Sequence, residues 1–461
     1  MRVAAIDQGT TSTRLLLVED GAAEIRHAVR HAQRHPRPGW VEHDPLELLA
    51  NVRACAEAAG KVQAYGLANQ GESCLAWDGV TGEPLSPVIV WQDNRTGDAV
   101  ERLRAAGAEA VTLERAGLPL DAYFSATKLA WLLAEIGPRR NLRLGTTDAW
   151  FLQRLTGECA TDVTTASRTS LMNLATCTWD EELCRLFGVQ MECLPEIRPT
   201  VGAFGMLRDA PVTAALVDQQ AALYGHGCRA RGDVKVTFGT GAFALALTGA
   251  ETVRAPERGL LPTVAWRIGE ATERAVDGGV YDAGAAVEWA TRIGLLADPA
   301  ELDRFDAPPA IERGLVFVPA LSGLACPHWD RSAGALWLGM TGGTTRRDLC
   351  QAMLEGIALR TAEVIAAMAE HLPLASSLSI DGGLSRSSYF AQFLADAVGR
   401  TVVRRGFDEL TAFGCAALAA RGLGALLPSP EHGSRTFEPR GDCRPWHGRF
   451  ASAISRARSW R

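Results

Sequence analysis

Val3–Asp20 reads VAAIDQGTTSTRLLLVED. Two short apolar runs, Val3–Ile6 and Leu15–Val18, flank a tip of small and polar residues. Apolar runs on either side of a Gly/Thr tip predict a hairpin of buried strands. Successive backbone N–H groups around Gly9, Thr10 and Thr11 can form a concave nest for an anion, and the hydroxyls add donors. Asp7, at the strand end, repels a phosphate unless a divalent cation stands between them. Mg²⁺ commonly bridges one or two carboxylates to phosphates through water, and Arg14 would add positive charge. The same residues also suit a plain tight turn whose Asp and Thr satisfy its backbone. The local sequence leaves both readings open.

A second hairpin with this plan is expected at Val234–Thr248, VKVTFGTGAFALALT, with Phe238-Gly239-Thr240-Gly241 at its tip. Between the two lies GHGCRARGD, Gly225–Asp233, which reads as a linker. A chain of 461 residues is too long for one ordinary core. Two domains of related architecture are therefore expected, 1–226 and 227–461. Two such tips, one per domain, would allow a polyphosphate to be gripped from both sides. No GxxxxGK[ST] occurs, which excludes a P-loop.

Strand-like and helix-like runs alternate throughout, so the fold class is α/β. CLAWDGVTGEPLSPVIV predicts two strands around a turn at Asp78–Gly82. Apolar spacing at Leu349, Met353, Ile357, Val364 and Met368 predicts a long helix. DELTAFGCAALAARGLG predicts an Ala-rich helix suited to close packing.

Three further features point to chemistry, each with a structural alternative. Asp218 follows the apolar run Val212–Val217 and precedes an expected helix at Gln219–Gly225, where it suits a general base or a helix N-cap. Asp381-Gly382-Gly383 is expected between a strand and a helix, where glycines let a ligand approach backbone closely. Glu72, Trp77, Trp91 and Tyr123 offer walls for a small-molecule pocket, although either tryptophan also suits a core.

Composition narrows the partners. Hydrophobic residues at 47% and charged residues at 22% describe an ordinary globular chain, and a net charge of -6 argues against nucleic acid. Lys61, Lys128 and Lys235 are the only lysines, so side-chain contacts to phosphate fall to arginine. The 11 cysteines include no CxxC pair, which favours reduced thiols. There is no signal-peptide pattern and no apolar run long enough to span a bilayer, so a cytoplasmic location without membrane contact is expected.

In order along the chain come IDQGTTSTR, GLANQGES, VIVWQDNRT, DAYFSATKLAW, TDVTTASRTSLMN, VDQQAALYG, TFGTGAF, FVPALSGL, ALWLGMTGGTTRRDLCQAMLE, IDGGLS and ELTAFGCA. Together, from about Val3 to about Gly422, they resemble the FGGY family of carbohydrate kinases, and within it the glycerol kinase branch. The resemblance implies two actin-like ATPase domains of RNase H-like type closing on a central cleft. It implies ATP-dependent phosphorylation of a terminal hydroxyl on a small polyol or sugar, with ATP and Mg²⁺ as cofactors. Asp7 would hold Mg²⁺ through water, with Asp218 beside it as general base. Thr10, Thr11, Arg14, Gly239 and Thr240 would meet the phosphates. Gly284, Glu288, Gly382, Gly383 and Ser387 would line the adenosine site. Glu72, Trp91, Tyr123, Gln219 and Phe243 would surround the polyol. A catalytically weak nucleotide- or sugar-binding regulator on the same fold is the alternative. The sequence leaves a homodimer open.

Departures from the family pattern carry their own expectations. Gly71 stands where the pattern has an arginine, which removes donors, leaves space and predicts that glycerol is a weak substrate. Glu288 replaces a glutamine and Ser387 an asparagine, which bears on nucleotide preference. The loop GMLRDAPVT before Asp218 is short and lacks a Gly-Gly-Thr-Arg stretch, which predicts no inhibition by a sugar bisphosphate.

Overall fold

The computed structural model describes residues 1–137, 139–430, 433–441 and 443–460. The chain forms two compact units. The first comprises Met1–Gly227, Pro262–Arg274 and Glu409–Pro430, and the second Cys228–Leu261, Ala275–Asp408 and Glu431–Arg461.

In the first unit the opening sequence forms the expected hairpin, Arg2–Gln8 against Ser12–Glu19, in antiparallel register Asp7↔Arg14. Its sheet runs in the order Ala22–Arg30, Ser12–Glu19, Arg2–Gln8, Ala64–Asn69, Ala210–Val217, Met206–Leu207. Arg2–Gln8, Ala64–Asn69 and Ala210–Val217 are mutually parallel. Their near-continuous apolar character is what a parallel sheet covered on both faces requires. Leu15, Leu17, Leu48, Val52, Trp77 and Trp150 belong to the buried core beside this sheet.

The second unit repeats the plan. Val234–Phe238 pairs antiparallel with Ala242–Gly249 and parallel with Ser377–Gly382, which pairs parallel with Thr401–Arg404. Helix Arg346–Ala369 starts at a capping box between Thr345 and Asp348. It buries Met353, Ile357, Val364 and Met368, four of the five positions read from its periodicity. The hairpin-plus-parallel-strands plan, present once per unit, is the RNase H-like architecture of the actin-like ATPases.

The sequence boundary at 226/227 assigns the Ala-rich helix to the second half, whereas Leu410–Gly422 belongs to the first unit. The reason is close packing on helix Asp218–Gly225. A Cβ at Gly225 would lie 1.9 Å from the Leu410 carbonyl oxygen, and one at Gly414 1.9 Å from that of Ala221. Only glycine at both positions lets the two backbones approach so closely. No helix among the described residues is long and apolar enough to cross a membrane.

Candidate active site

The parallel register decides where the acids go. Gln8 pairs with Asn69, and Asn69 with Val217, so the C-terminal ends of three neighbouring strands lie level. Asp7 and Asp218 therefore come to the same end of one sheet. In α/β sheets this end is where ligands bind.

Asp218 is the first residue of helix Asp218–Gly225, not its cap. Val217, in extended conformation, occupies the cap position and no side chain caps the helix. The Asp218 carboxylate instead accepts the Gln219 backbone N–H at 2.7 Å. Asp7 is half-buried, and its Oδ1 has no hydrogen-bond partner among the described residues. Burial, then the charge of Asp218, push its carboxyl from the ordinary 3.8 to about 7, with Arg14 pulling the other way. An orphaned carboxylate oxygen beside a second carboxylate is a donor set that fits a hard divalent cation. The turn itself is closed by Gly9 N–H on the Ser12 carbonyl at 3.0 Å. Arg14 is ion-paired with Glu409 at 2.8 Å, a partner invisible in the local sequence. Thr11 is exposed at the tip and Thr10 half-buried.

Glu72, Trp91 and Tyr123 also meet in the first unit. Glu72 is buried, has φ +57°, and accepts from Arg168 Nε at 2.6 Å, while its carbonyl accepts from Ser125 Oγ at 2.9 Å. Trp91 and Tyr123 are in edge contact at 5.6 Å between ring centroids. Buried Lys128 donates to the Tyr123 carbonyl at 2.8 Å. Gln219 is half-buried beside Asp218, whereas Trp77 is fully buried and belongs to the core. Arg168 was missed as an individual residue. Its segment, TDVTTASRTSLMN, stands out, but nothing local says that it reaches a glutamate 96 positions earlier.

The second unit gathers the other set. The carbonyl of Gly239 accepts from Gly284 N–H at 2.9 Å, and that of Thr240 from Ala283 at 3.0 Å and Ala285 at 2.9 Å. The start of helix Gly284–Arg292 is thus seated on the tip, and a Cβ at Gly284 would lie 2.4 Å from the Gly239 oxygen. Gly382 has φ +88°, and a Cβ there would lie 2.2 Å from the Phe238 carbonyl oxygen. The expected strand-to-helix turn at Asp381-Gly382-Gly383 needs correction. The strand runs through Gly382, a single 3₁₀ turn follows at Leu384–Arg386, and the helix begins only at Ser388. The backbone must leave the strand sideways past Phe238 before it can coil. Ser387 caps that helix, accepting from Phe390 N–H at 3.1 Å and donating to the Leu302 carbonyl at 2.7 Å. Glu288 is exposed on its helix, and Phe243 is half-buried against Gly241 and Gly279.

Comparison with known proteins bears on the family and the fold. The N-terminal domain of the FGGY family of carbohydrate kinases matches residues 2–225, and its C-terminal domain residues 234–423. A glycerol kinase of Gloeobacter violaceus is 41% identical over 99% of this chain and 97% of its own. One of Thermus brockianus is 42% identical over 99% and 98%. The crystal structure of Plasmodium falciparum glycerol kinase with ADP is similar, with a TM-score of 0.90 at 30% identity, covering 99% of this chain and 98% of that one. A ligand-bound xylulose kinase of Lactobacillus acidophilus shares the fold, with a TM-score of 0.88 at 21% identity over 99% and 96%. The chain belongs to the FGGY family of carbohydrate kinases, and it is a kinase of the glycerol kinase-like branch.

Proposed function

We propose that this kinase transfers the γ-phosphoryl group of ATP to a terminal hydroxyl of a small polyol or sugar, and that glycerol itself is a weak substrate. The observation that carries the site assignment is the pair Asp7 and Asp218, both at the C-terminal end of one sheet, with an unpartnered oxygen on the first.

Asp218 takes the hydroxyl proton as the new O–P bond forms and the bond to the leaving ADP breaks. The proton then passes to solvent. Its helix-start position and the Gln219 amide hold the carboxylate in place. Asp7, with Asp218, would hold Mg²⁺. Bound Mg²⁺ neutralises charge on the phosphates. Thr10, Thr11 and Arg14 present donors to phosphate, and the tip at Gly239 and Thr240 is a second phosphate turn. Gly284, Gly382 and Gly383 meet the adenosine end through backbone, with Glu288 and Ser387 beside them. Glu72, Trp91, Tyr123 and Gln219 bind the polyol.

Gly71 supports the substrate reading. The guanidinium that the branch pattern places there is missing, and losing such donors costs about 1.5–3 kcal/mol of binding to a small polyol. Arg168 gives Glu72 a cationic neighbour from elsewhere in the chain. A panel of glycerol, tetritols, pentitols and ketoses, read by coupled ADP release, tests the proposal. A larger polyol or sugar is expected to give the highest kcat/KM. Glycerol ranking first would refute the substrate assignment, and no acceptor-dependent ADP release with any of them would refute the kinase site itself.

A further inference from the structure

The threonine at the centre of the first tip is held at its carbonyl and at its hydroxyl by residues from outside the hairpin. His31 Nε2 lies 3.0 Å from the Thr10 carbonyl oxygen. The indole Nε1 of Trp91 donates to Thr10 Oγ1 at 3.0 Å. The His31 backbone N–H donates to the Thr11 carbonyl at 3.2 Å, so His31 braces two successive peptides of the turn.

The chemistry of these contacts is directional. A carbonyl oxygen can only accept, so His31 must carry its proton on Nε2. Burial pushes the His31 imidazole below its usual range, which favours the neutral ring, and the Thr10 carbonyl selects its Nε2–H tautomer. The His43 ring closes the other side in edge contact at 4.9 Å between centroids, and His43 Nδ1 is anchored 2.9 Å from the Ala32 carbonyl oxygen. An indole N–H can only donate, so the Thr10 hydroxyl is an acceptor toward Trp91. Its own proton must then point elsewhere. Trp91 is itself pinned, its backbone N–H donating to Ser73 Oγ at 3.1 Å. Both faces of the threonine are therefore set before any ligand arrives, and its hydroxyl is left oriented as a donor, the form an anionic oxygen needs.

We infer that His31 and Trp91 are positioning residues that clamp Thr10 and preset its hydroxyl as a phosphate donor, and that through Trp91 the acceptor wall and the phosphate turn of the first unit act as one piece. This rests on the reading of Gly9–Thr11 as a phosphate turn. It adds a histidine that makes no contact with substrate, and a second duty for a tryptophan assigned to the acceptor wall.

The test compares wild type with His31→Phe, His31→Gln and Trp91→Phe in the full-length chain. Phe at 31 keeps an aromatic ring and loses the donor, whereas Gln restores an N–H at the reach of Nε2. Phe at 91 keeps the wall and loses only the indole donor. Each variant is titrated with MgATP by calorimetry and assayed for acceptor-dependent ADP release. Losing one such hydrogen bond should weaken MgATP about five- to tenfold in His31→Phe and about threefold or more in Trp91→Phe, with His31→Gln within about twofold of wild type. KM for the acceptor should stay within about twofold in the His31 variants, whereas loss of folded protein would lower kcat and leave both KM values unchanged. MgATP binding within twofold of wild type in both Phe variants would overturn the clamp. Should His31→Phe not fold, Trp91→Phe carries the same titration. A wild-type protein that binds MgATP but releases no ADP with any acceptor would overturn the kinase site, while the titrations still decide the clamp.

Discussion

Arg14 and Glu409, 395 positions apart, share an ion pair in which Arg14 Nη1 lies 2.8 Å from each oxygen of the glutamate. The arginine nearest the hairpin tip is thus partly neutralised by the residue that precedes helix Leu410–Gly422. Glu409 also acts on Asp7, since its charge is among those that raise the Asp7 carboxyl. Glu409→Gln should free the positive charge of Arg14 and lower the pKa of Asp7 together. KM for ATP should fall, by only about twofold because the pair is partly exposed and screened by salt. The acid limb of the pH profile for kcat/KM should move to lower pH. A limb that moved upward would contradict the electrostatic assignment.

Asp7 itself makes a stability prediction. Its carboxyl sits at about 7 in the folded chain, against an ordinary 3.8. The folded state therefore prefers the protonated acid. This preference stabilises the fold fully below about pH 4 and is lost as pH rises through about 7. Asp7→Asn carries no charge at any pH. Without ligand its stability relative to wild type should grow from pH 5 to pH 8, by at most about 2.6 kcal/mol. Added Mg²⁺ should raise the thermal midpoint of wild type at pH 8 and leave Asp7→Asn unmoved. A pH-independent difference between the two proteins would reject the raised carboxyl.

These two residues also mark how far the sequence could be read. Asp7 was legible because its signals are local: a strand pattern, a turn composition and an acid between them. The second hairpin and the long helix were legible for the same reason. Arg14 was legible as a cation but not as half of an ion pair, because its partner lies at the other end of the chain. The Glu72–Arg168 pair was hidden by the same kind of distance. Strand Leu142–Thr146, which pairs with Cys74–Asp78, offers only Leu-Arg-Leu before a glycine, too short an alternation to announce it. The helix expected directly after the Asp381-Gly382-Gly383 turn begins only at Ser388, because glycine composition signals a turn without saying which way the chain leaves it.

Gly71 gives a prediction that sequence alone would have framed differently. A missing arginine suggests open space, yet a Cβ at Gly71 would lie 3.1 Å from Val217 Cγ1. Gly71 and Val217 are matched to each other, next to Glu72 and Asp218. Gly71→Arg alone should crowd Val217, lower the melting temperature and gain little glycerol activity. Gly71→Arg with Val217→Ala should raise kcat/KM for glycerol about tenfold. Equal gains from the single and double variants would show that Val217 does not limit the site.

The loop before Asp218 bears on regulation. Met206–Leu207 and Ala210–Val217 pair antiparallel, leaving Arg208 and Asp209 as the whole turn, with Arg208 at φ +54°. Both turn residues are exposed, and the aspartate offsets the arginine. Such a turn cannot surround a doubly phosphorylated sugar. Fructose 1,6-bisphosphate at millimolar concentration should leave activity unchanged, and a dose-dependent loss would contradict this.

Asp218→Asn separates catalysis from binding. Asparagine keeps the shape and one oxygen for the Gln219 amide, so the helix start should persist. It cannot take the hydroxyl proton, and kcat should fall at least about 100-fold. The same change removes the charge that, after burial, most raises the Asp7 carboxyl. Asp7 should then ionise at lower pH, so the acid limit of Mg²⁺-dependent ATP binding should move down even though one of the two carboxylates that would hold the cation is lost. A damaged fold would weaken binding along with turnover, whereas a lost base beside an intact carboxylate predicts opposite movements. Calorimetric titration of MgATP from pH 5.5 to 8, set beside single-turnover rates, reads both, and near-wild-type turnover would remove Asp218 from the role of base.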